Sequence, residues 1–321
     1  MISLPRISAI ITAFNSADFL RDSIESVLNQ SRPVDEILVV DDGSTDETPS
    51  IVAAYASAGV NYVRQENQGP GAARNLGLRS THGDIVAFLD ADDIWMETKT
   101  EIQYNYLSNH PDIGVVSGQK MWWRTGEGGD RWIQRYGNIP DARVPQEILI
   151  NNIIGNPSMA LIRRSLLDKV GYYNPNLRWG QDWELWIRIS AFTTFGFVDE
   201  PVILYRIHEH NHTHTSENPM KRLDCLLGIS QNAIRGTTPA WLRNILFMRA
   251  KSQYYYFRSL YAIRKHLSKK RQIGYALASF LIYPWDRPGV KFRLVVRTLV
   301  GDTFYQKYKS QIISQSSSLE E

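Results

Sequence analysis

The chain has 321 residues, with 36 Lys and Arg against 33 Asp and Glu, 43% hydrophobic side chains and a single cysteine, Cys225. This composition excludes a disordered chain, and one cysteine excludes both a disulfide framework and a zinc site built on cysteines. The sequence contains neither a run of about 18 apolar residues nor a signal-peptide pattern, which favours a cytoplasmic protein, either free or peripheral on the cytoplasmic face of the membrane.

Charge is distributed unevenly along the chain. Residues 1–218 hold 18 basic and 28 acidic side chains, whereas residues 219–321 hold 18 basic and 5 acidic ones. A difference of this size indicates two parts with different partners. We therefore expect one domain over residues 1–215 and a basic region over residues 216–321.

The first part alternates apolar runs with helical patterns. Short β-branched apolar runs predict strands at 7–14, 36–40, 60–64 and 84–89. Helical spacing and capping signals predict helices between them, one of which spans residues 44–58 and opens with a Ser-x-x-Glu capping box. This alternation is typical of an α/β fold whose parallel sheet is covered on both faces.

Beyond residue 112 the pattern is less regular. We predict strands at 114–117, 196–197 and 203–205 and a helix over 183–191. After Pro219 the chain is mostly helical, basic and aromatic. The sequence therefore predicts a helical C-terminal extension.

Three polar clusters follow predicted strands: Thr12–Asn15, Asp41–Ser44 and Asp90–Asp93. In parallel sheets, ligands bind beyond the carboxyl ends of the strands. Asp41 and Asp42 can accept hydrogen bonds from a base or from ribose hydroxyls, although Asp-Gly is also ordinary turn chemistry. The clusters together predict a ligand site at one edge of the sheet.

The three carboxylates of Asp90, Asp92 and Asp93 repel one another, at a cost on the order of 3 kcal/mol for each close pair. A hard cation such as Mg²⁺ or Mn²⁺ relieves this repulsion, and such a cation is usually shared with substrate phosphates. The alternative is a solvated acidic loop that caps the next helix. A metal bound here would indicate a nucleoside diphosphate.

Residues 67–75 carry glycines and place Arg74 on the opening turn of a helix, where it can contact phosphate. The segment lacks both the dinucleotide fingerprint and the P-loop ending. Further along, Asp182 and Glu184 stand among tryptophans, which suits a general base with a raised pKa but also an ordinary packing stripe. A run of alternating histidines begins at His208 and is either a polar loop or a source of one metal ligand.

Together these segments resemble the family 2 glycosyltransferases, which are inverting enzymes of the GT-A fold. The resemblance covers residues 7 to about 210 and rests on the order of six motifs: Ile11-Thr-Ala-Phe-Asn15, Val39-Val-Asp-Asp-Gly-Ser-Thr-Asp46, Asn67 to Asn75, Phe88-Leu-Asp-Ala-Asp-Asp93, Gly180-Gln-Asp-Trp-Glu-Leu-Trp186 and Tyr205-Arg-Ile-His208. It implies a Rossmann-like mixed sheet flanked by helices. It also implies a nucleotide-binding half over about 1–110 and an acceptor-binding half over about 111–215.

The resemblance further implies a role for each matched residue. Asp182 would be the general base, although the family usually has Glu-Asp where this chain has Gln181-Asp182. The metal, Mn²⁺ or Mg²⁺, would be held by Asp92, Asp93 and His208. The nucleotide, most often UDP, would be bound by Thr12, Ala13, Phe14, Asp41, Asp42, Arg74, Asp90 and Ala91.

The implied activity is transfer of a sugar from a nucleotide sugar to a hydroxyl of a glycan or lipid-linked glycan. Two alternatives remain at this point: a sugar-phosphate nucleotidyltransferase, and a non-catalytic binding protein. We expect no nucleic-acid partner, because the chain carries no recognisable nucleic-acid-binding motif. The basic and aromatic composition of the C-terminal region predicts contact with an anionic membrane surface, with a homodimer interface as the alternative.

Overall fold

The chain divides into two units, Met1–Ser216 and Glu217–Glu321. The computed structural model describes residues 4–124, 130–134, 144–208, 219–238, 240–265 and 267–283, together with residues 291, 294, 295 and 298.

The first unit contains a mixed sheet. Its strands are β1 (Ile7–Ala13), β2 (Glu36–Asp41), β3 (Val60–Arg64), β4 (Ile85–Asp90), β5 (Ile94–Trp95), β6 (Ile113–Arg124), β7 (Arg131–Gln134), β8 (Leu161–Arg163) and β9 (Thr194–Ile207). They lie in the order β3-β2-β1-β4-β8-β6-β9-β5, and β7 pairs with β6. The pairs among β3, β2, β1 and β4 are parallel, while β8 is antiparallel to both β4 and β6.

Seven helices of the first unit are described: α1 (Ala17–Leu28), α2 (Thr48–Ala53), α3 (Pro70–Arg79), α4 (Lys99–Asn109), α5 (Val144–Glu147), α6 (Arg164–Val170) and α7 (Gln181–Ile189). Alternate residues of β1, among them Ile7, Ala9 and Ile11, pack with Leu20 and Ile24 of α1 in one buried core. This α/β architecture confirms the fold class predicted from the sequence.

The strand register brings the motif ends together. Thr12 is paired with Asp90 across β1 and β4, and Ala13 is paired with Asp41 across β1 and β2. Because parallel strands end at the same edge of the sheet, three clusters that are far apart in sequence become neighbours.

The helix predicted over residues 44–58 is shorter in the structure, because its capping box does not form. Ser44 Oγ instead accepts from the backbone N–H of Asn15, at 2.9 Å, and Thr48 Oγ1 accepts from that of Ser16, at 3.1 Å. Asp46 Oδ2 accepts from the N–H of Ala17, at 2.9 Å. These three side chains therefore hold the turn that leads into α1 and satisfy its first N–H, and the second helix begins only at Thr48.

The second unit is helical where it is described. Its helices are α8 (Pro219–Thr237), α9 (Ala240–Arg264) and α10 (Lys269–Ile282). Ser252 of α9 donates to the carbonyl of Ser279 in α10, at 2.6 Å, and Ala276 lies in a small core with Leu294 and Val295. Within the described ranges, no helix has both the length and the apolar character needed to cross a membrane.

Candidate active site

The carboxylates at the end of β2 are fully engaged by protein donors. Asp41 is 0% exposed and accepts from the Ser44 N–H, at 2.8 Å, and from the Tyr62 hydroxyl, at 2.7 Å. Burial and the hydrogen bond to Asp41 together raise the pKa of Tyr62 to about 12. Asp41 therefore holds the turn after β2 and faces protein on all sides, although the resemblance implies that it lies beside a nucleotide.

Asp42 fastens the loop that precedes α3. Its Oδ1 accepts from Gln65 Nε2, at 2.6 Å, and from the Gln68 N–H, at 2.9 Å, while Oδ2 accepts from the Gly69 N–H, at 2.8 Å. The residue is only 4% exposed. A base that hydrogen-bonds Asp42 must therefore share an oxygen with these donors or displace one of them.

At the end of β4, Asp90 joins the nucleotide motifs to α3. Its Oδ1 accepts from Arg74 Nη2, at 2.5 Å, and from Thr12 Oγ1, at 3.3 Å. Burial lowers the pKa of Arg74, but the Asp90 carboxylate outweighs this effect and the net pKa is raised. Arg74 thus lies between Asp90 and the ring of Tyr173, 5.4 Å from the ring centroid.

The other proposed nucleotide contacts lie around this pair. Ala13 and Ala91 are each 3% exposed, and their backbone groups bond to neighbouring strands: the Ala13 carbonyl to Asp42 and the Ala91 N–H to Thr12. Phe14, by contrast, is 43% exposed at the same sheet edge. Only Phe14 of these three offers a side-chain surface against which a base can stack.

Asp92 and His208 are in direct contact. His208 Nε2 lies 3.1 Å from Asp92 Oδ2, and the His208 ring packs on Phe19, with centroids 4.3 Å apart. Arg206, near the carboxyl end of β9, donates to the Asp92 carbonyl, at 3.3 Å, and to Asp22, at 2.7 Å. The long strand β9, predicted from sequence as two short strands, delivers His208 to the acidic cluster.

Asp93 is the most enclosed member of the cluster. It is 0% exposed, its Oδ2 accepts from Asn156 Nδ2 at 2.8 Å, and its Oδ1 makes no hydrogen bond within the described part of the chain. Burial raises the pKa of Asp93, and the charges of Asp92 and Asp90 raise it further. This is the direction expected if the neighbouring carboxylates repel one another.

The donor set fits a hard divalent cation. A carboxylate oxygen of Asp92 and the imidazole of His208 lie together, and the charge of Asp92 acts on the neighbouring Asp93. In the described ranges no group of three or more His, Cys, Asp or Glu side chains is arranged to hold a metal ion by itself. A cation bound here would need further ligands, which Mg²⁺ and Mn²⁺ ordinarily take from phosphates and water.

Asp182 stands in the first turn of α7, close to the Arg74–Asp90 pair. Gly180 begins this helix in the left-handed region, with φ 73°, where a side chain would be strained. A Cβ at Gly71 of α3 would lie 2.9 Å from the Gln181 side chain, so this glycine permits the two helix ends to approach each other. Burial raises the pKa of Asp182 and Asp90 adds to the rise, while the Trp183 N–H and Arg74 oppose it.

Glu184, the other carboxylate of this motif, has a different position. It is held by Arg188 through both oxygens, at 2.7 and 2.9 Å. A carboxylate held on both oxygens by a guanidinium is a poor proton acceptor. Of the two carboxylates, Asp182 is therefore the better placed to accept a proton.

Four side chains at the site were missed by sequence reasoning. Asn152 donates to Asp182 Oδ2, at 2.9 Å, Asn156 donates to Asp93, and Ser158 Oγ accepts from the Asp90 N–H, at 3.0 Å. Lys120 is 7% exposed, lies over the rings of Trp122 and Tyr205, and its charge lowers the pKa of Asp93. Asn152, Asn156 and Ser158 lie in an irregular segment with no periodic pattern, so the sequence carried no signal that could have identified them.

A groove of about 430 Å³ lies at the opposite edge of the sheet. It is lined by residues at the amino ends of β1 and β2, such as Arg6, Glu36 and Ile37, and by Asn61. None of the clustered carboxylates contributes to its lining. The chemistry-bearing residues therefore belong to the carboxyl edge of the sheet.

The fold is that of the GT-A glycosyltransferases. The chain superposes on S. aureus TarS in complex with UDP-GlcNAc with a TM-score of 0.67 and 17% identity, covering 97% of this chain and 92% of that one. It also superposes on the mannosyltransferase PcManGT from Pyrobaculum calidifontis, in complex with GDP-Man and Mn²⁺, with a TM-score of 0.58 and 20% identity, covering 89% of each chain.

The pattern of glycosyl transferase family 2 matches residues 8–171, and the chain belongs to this family. It is 28% identical over 306 residues to an uncharacterized glycosyltransferase of Rickettsia prowazekii (strain Madrid E), covering 89% of this chain and 93% of the relative. It is 32% identical over 210 residues to TuaG, a putative teichuronic acid biosynthesis glycosyltransferase of Bacillus subtilis (strain 168), covering 63% and 79%. These relatives support the glycosyltransferase prediction over the two alternatives left open by the sequence.

Proposed function

We propose that this protein transfers a sugar, with inversion, from a nucleoside-diphosphate sugar to a hydroxyl of a glycan or lipid-linked glycan. A UDP-sugar is the favoured donor. The observation that carries the proposal is that the buried Arg74 bonds to Asp90 and also acts electrostatically on Asp182. Asp92, two residues after Asp90, contacts His208. This arrangement would bring the nucleotide, the cation and the base within reach of one another.

In this reaction Asp182 accepts the proton of the acceptor hydroxyl. The acceptor oxygen forms a bond to the anomeric carbon as the bond from that carbon to the diphosphate breaks, and the nucleoside diphosphate leaves. A single displacement of this kind inverts the anomeric centre. The raised pKa of Asp182 suits the task, because a base works best when its pKa lies closer to the working pH.

Thr12, Phe14, Arg74 and Asp90 are the proposed nucleotide contacts. Asp41 and Asp42 shape the pocket from behind, since their oxygens are engaged by protein donors. Asp92 and His208 would hold Mn²⁺ or Mg²⁺ against the diphosphate, with the nearby carboxyl of Asp93 as a further attraction for the cation. The metal would supply charge stabilisation of the leaving diphosphate.

The donor is tested by thermal shift with UDP, GDP and dTDP and their sugars, each with Mn²⁺, with Mg²⁺ and with EDTA. We expect the largest stabilisation from UDP or a UDP-sugar, and only with a divalent cation. A larger shift with GDP and Mn²⁺ would change the donor assignment. Absence of any shift across the panel would contradict the proposed function.

The base is tested with Asp182→Asn. We expect turnover, measured as nucleoside diphosphate released from the donor identified in the panel, to fall by about 10²–10⁴-fold. Binding of UDP and Mn²⁺ should persist. Asp112→Asn is the matched control, because Asp112 is exposed. Turnover near that of the parent protein in Asp182→Asn would remove the assignment.

We also propose that the second unit contacts an anionic membrane surface. Leu277 and Leu281 of α10 are 37% and 70% exposed, and Lys270 and Arg271 are exposed on the same helix. Apolar side chains next to basic ones suit a helix that lies in a lipid headgroup region. Flotation with anionic vesicles should carry the protein at low salt, and Leu281→Glu should reduce this; no flotation at low salt would contradict the proposal and favour a protein contact such as a homodimer.

A further inference from the structure

Residues 148–158, here called the bridging segment, bond to both acidic elements of the site. On one side, Asn156 donates to Asp93 Oδ2, at 2.8 Å, and Ser158 Oγ accepts from the Asp90 N–H, at 3.0 Å. On the other side, Asn152 Nδ2 donates to Asp182 Oδ2, at 2.9 Å. The bridging segment therefore fixes the proposed base relative to the carboxylates of the strand end.

Two indoles of α7 anchor this segment. Trp183 Nε1 donates to the carbonyl of Ile148, at 2.5 Å, and Trp186 Nε1 donates to the carbonyl of Gly155, at 3.2 Å. Trp183 and Trp186 are 6% and 0% exposed. Buried indole N–H groups need a partner, so these bonds hold the segment against the helix that carries Asp182.

The orientation of the Asn152 amide is fixed by the turn around it. Its Oδ1 accepts from the Gly155 N–H, at 3.1 Å, and its Nδ2 donates to the Gly155 carbonyl, at 3.1 Å, as well as to Asp182. Because the Gly155 N–H must face an acceptor, the amide oxygen points to it and the NH₂ group points to Asp182. Asp182 therefore meets a hydrogen-bond donor at Oδ2.

We propose that Asn152 is a positioning residue for the base, holding Asp182 Oδ2 so that Oδ1 receives the proton of the acceptor hydroxyl. This inference rests on the proposed function, since it assigns a partner to the proposed base. A hydrogen bond donated to an ionised carboxylate also favours the ionised form. Asn152 thus counteracts the effect of burial and keeps Asp182 able to accept a proton at neutral pH.

The other charged or titratable groups that act on Asp182 come from three elements. Arg74 of α3 favours its ionised form, and Asp90 of β4 disfavours it. Tyr173, in the loop before α7, is buried, and its pKa is raised by burial and by Asp182 itself. Asn152 and the backbone N–H groups of Asp182 and Trp183 are neutral donors, so replacing Asn152 changes one hydrogen bond without removing a charge.

Two substitutions separate a positioning role from a purely structural one. Asn152→Asp keeps an acceptor for the Gly155 N–H but replaces the NH₂ group with a carboxylate oxygen that faces Asp182. Asn152→Ala removes all three side-chain bonds, two with Gly155 and one with Asp182. The matched control is Asn176→Ala, because Asn176 is exposed and its recorded bond uses only its backbone N–H.

The pKa of Asp182 is measured by carboxyl ¹³C NMR of Asp-labelled protein without ligand, the resonance being identified by its loss in Asp182→Asn. We expect the pKa of Asp182 to rise in Asn152→Ala and to rise further in Asn152→Asp. Turnover at neutral pH should fall about tenfold or more, with its acid limb moved to higher pH, while the KM for the donor changes less than about twofold. Asn176→Ala should match the parent protein in every measurement.

An unchanged pKa of Asp182 in a folded Asn152→Asp protein would overturn the inference. So would a rise in donor KM that accounts for all of the lost activity. Failure of the proposed function is recognised separately: full turnover in Asp182→Asn would remove the base assignment, whatever Asn152 does. Should Asn152→Ala fail to fold, Asn152→Asp still decides, because it retains the bond accepted from the Gly155 N–H.

Discussion

Two acidic clusters look alike in the sequence, each at the end of a buried parallel strand, but the fold treats them in opposite ways. Asp41 and Asp42 accept hydrogen bonds from protein donors on both of their carboxylate oxygens. The cluster from Asp90 to Asp93 instead brings like charges together, and burial with these charges raises the pKa of Asp93. The first cluster stabilises the loops, and the second is better suited to bind a ligand than to stabilise the fold.

This contrast has a physical basis in where the hydrogen-bond donors are. Carboxylates that accept several N–H bonds are stable when buried, whereas neighbouring carboxylates without enough donors repel one another until a cation or a proton arrives. Substitutions that remove a charge should therefore harm activity in one cluster and stability in the other.

The largest expected effect is on catalysis, from Asp92→Asn. Removing a ligand of the proposed cation should lower turnover by about 10²–10³-fold, the usual cost of losing an electrostatic contact to the transition state. Thermal unfolding without metal should be unchanged or shifted upward, because one of the repelling charges is gone. Turnover assays and thermal melts measure the two effects, with Asp112→Asn as control. Turnover that persists in Asp92→Asn would contradict the proposed difference between the two clusters.

The next effect is on folding, from Asp42→Asn. The amide nitrogen of Asn cannot accept, so at least one of the donors from Gln65, Gln68 and Gly69 loses its partner. We expect a loss of about 1–3 kcal/mol in the free energy of unfolding, measured by urea denaturation. Stability equal to that of the parent protein would show that the loop before α3 does not depend on this carboxylate.

The sequence was sufficient for the four parallel strands β1 to β4 and for the polar clusters that follow three of them, but not for this difference in role. The strand positions follow from buried β-branched runs, and the parallel register then brings Thr12, Asp41 and Asp90 to one edge. Asp42 accepts a hydrogen bond from the N–H of Gly69, 27 positions away, and no local sequence pattern predicts that bond. The short strand β8, three residues long, also lacks a recognisable sequence pattern. It forms because it pairs with β4 and β6, which are distant in sequence.

A smaller effect in the opposite direction is expected from Asp93→Asn. The amide oxygen can keep the bond from Asn156, while the NH₂ group takes the place of Oδ1, which makes no hydrogen bond in the described structure. Without divalent ions, the midpoint of thermal unfolding should rise by about 2–4 °C, because crowding with Asp92 and Asp90 is relieved. The stabilisation that added Mn²⁺ gives the parent protein should be reduced. A lower midpoint of thermal unfolding in this variant would contradict the inference that the carboxylates of this cluster repel one another.

The smallest effect concerns Asp46, which belongs to the first cluster's loop and shows the opposite pH behaviour to Asp93. Burial raises its pKa, but hydrogen bonds from Thr48 and from the Ala17 N–H outweigh this, and the net pKa lies below 3.8. A carboxylate with a lowered folded pKa stabilises the fold above its unfolded pKa, and this contribution is lost as the pH falls through the folded pKa. Asp46→Asn should therefore cost about 0.5–1 kcal/mol at pH 7, in the range of a helix-capping contact.

The cost of Asp46→Asn should shrink as the pH falls through the lowered folded-state pKa of Asp46, because the parent carboxylate then becomes protonated and loses its charge. Urea denaturation of both proteins at pH 7, pH 4 and pH 3 measures the difference directly. A difference that stays constant over this range would mean that Asp46 stabilises the start of α1 through shape alone. The charge on the loop after β2 would then play no part in holding the first helix.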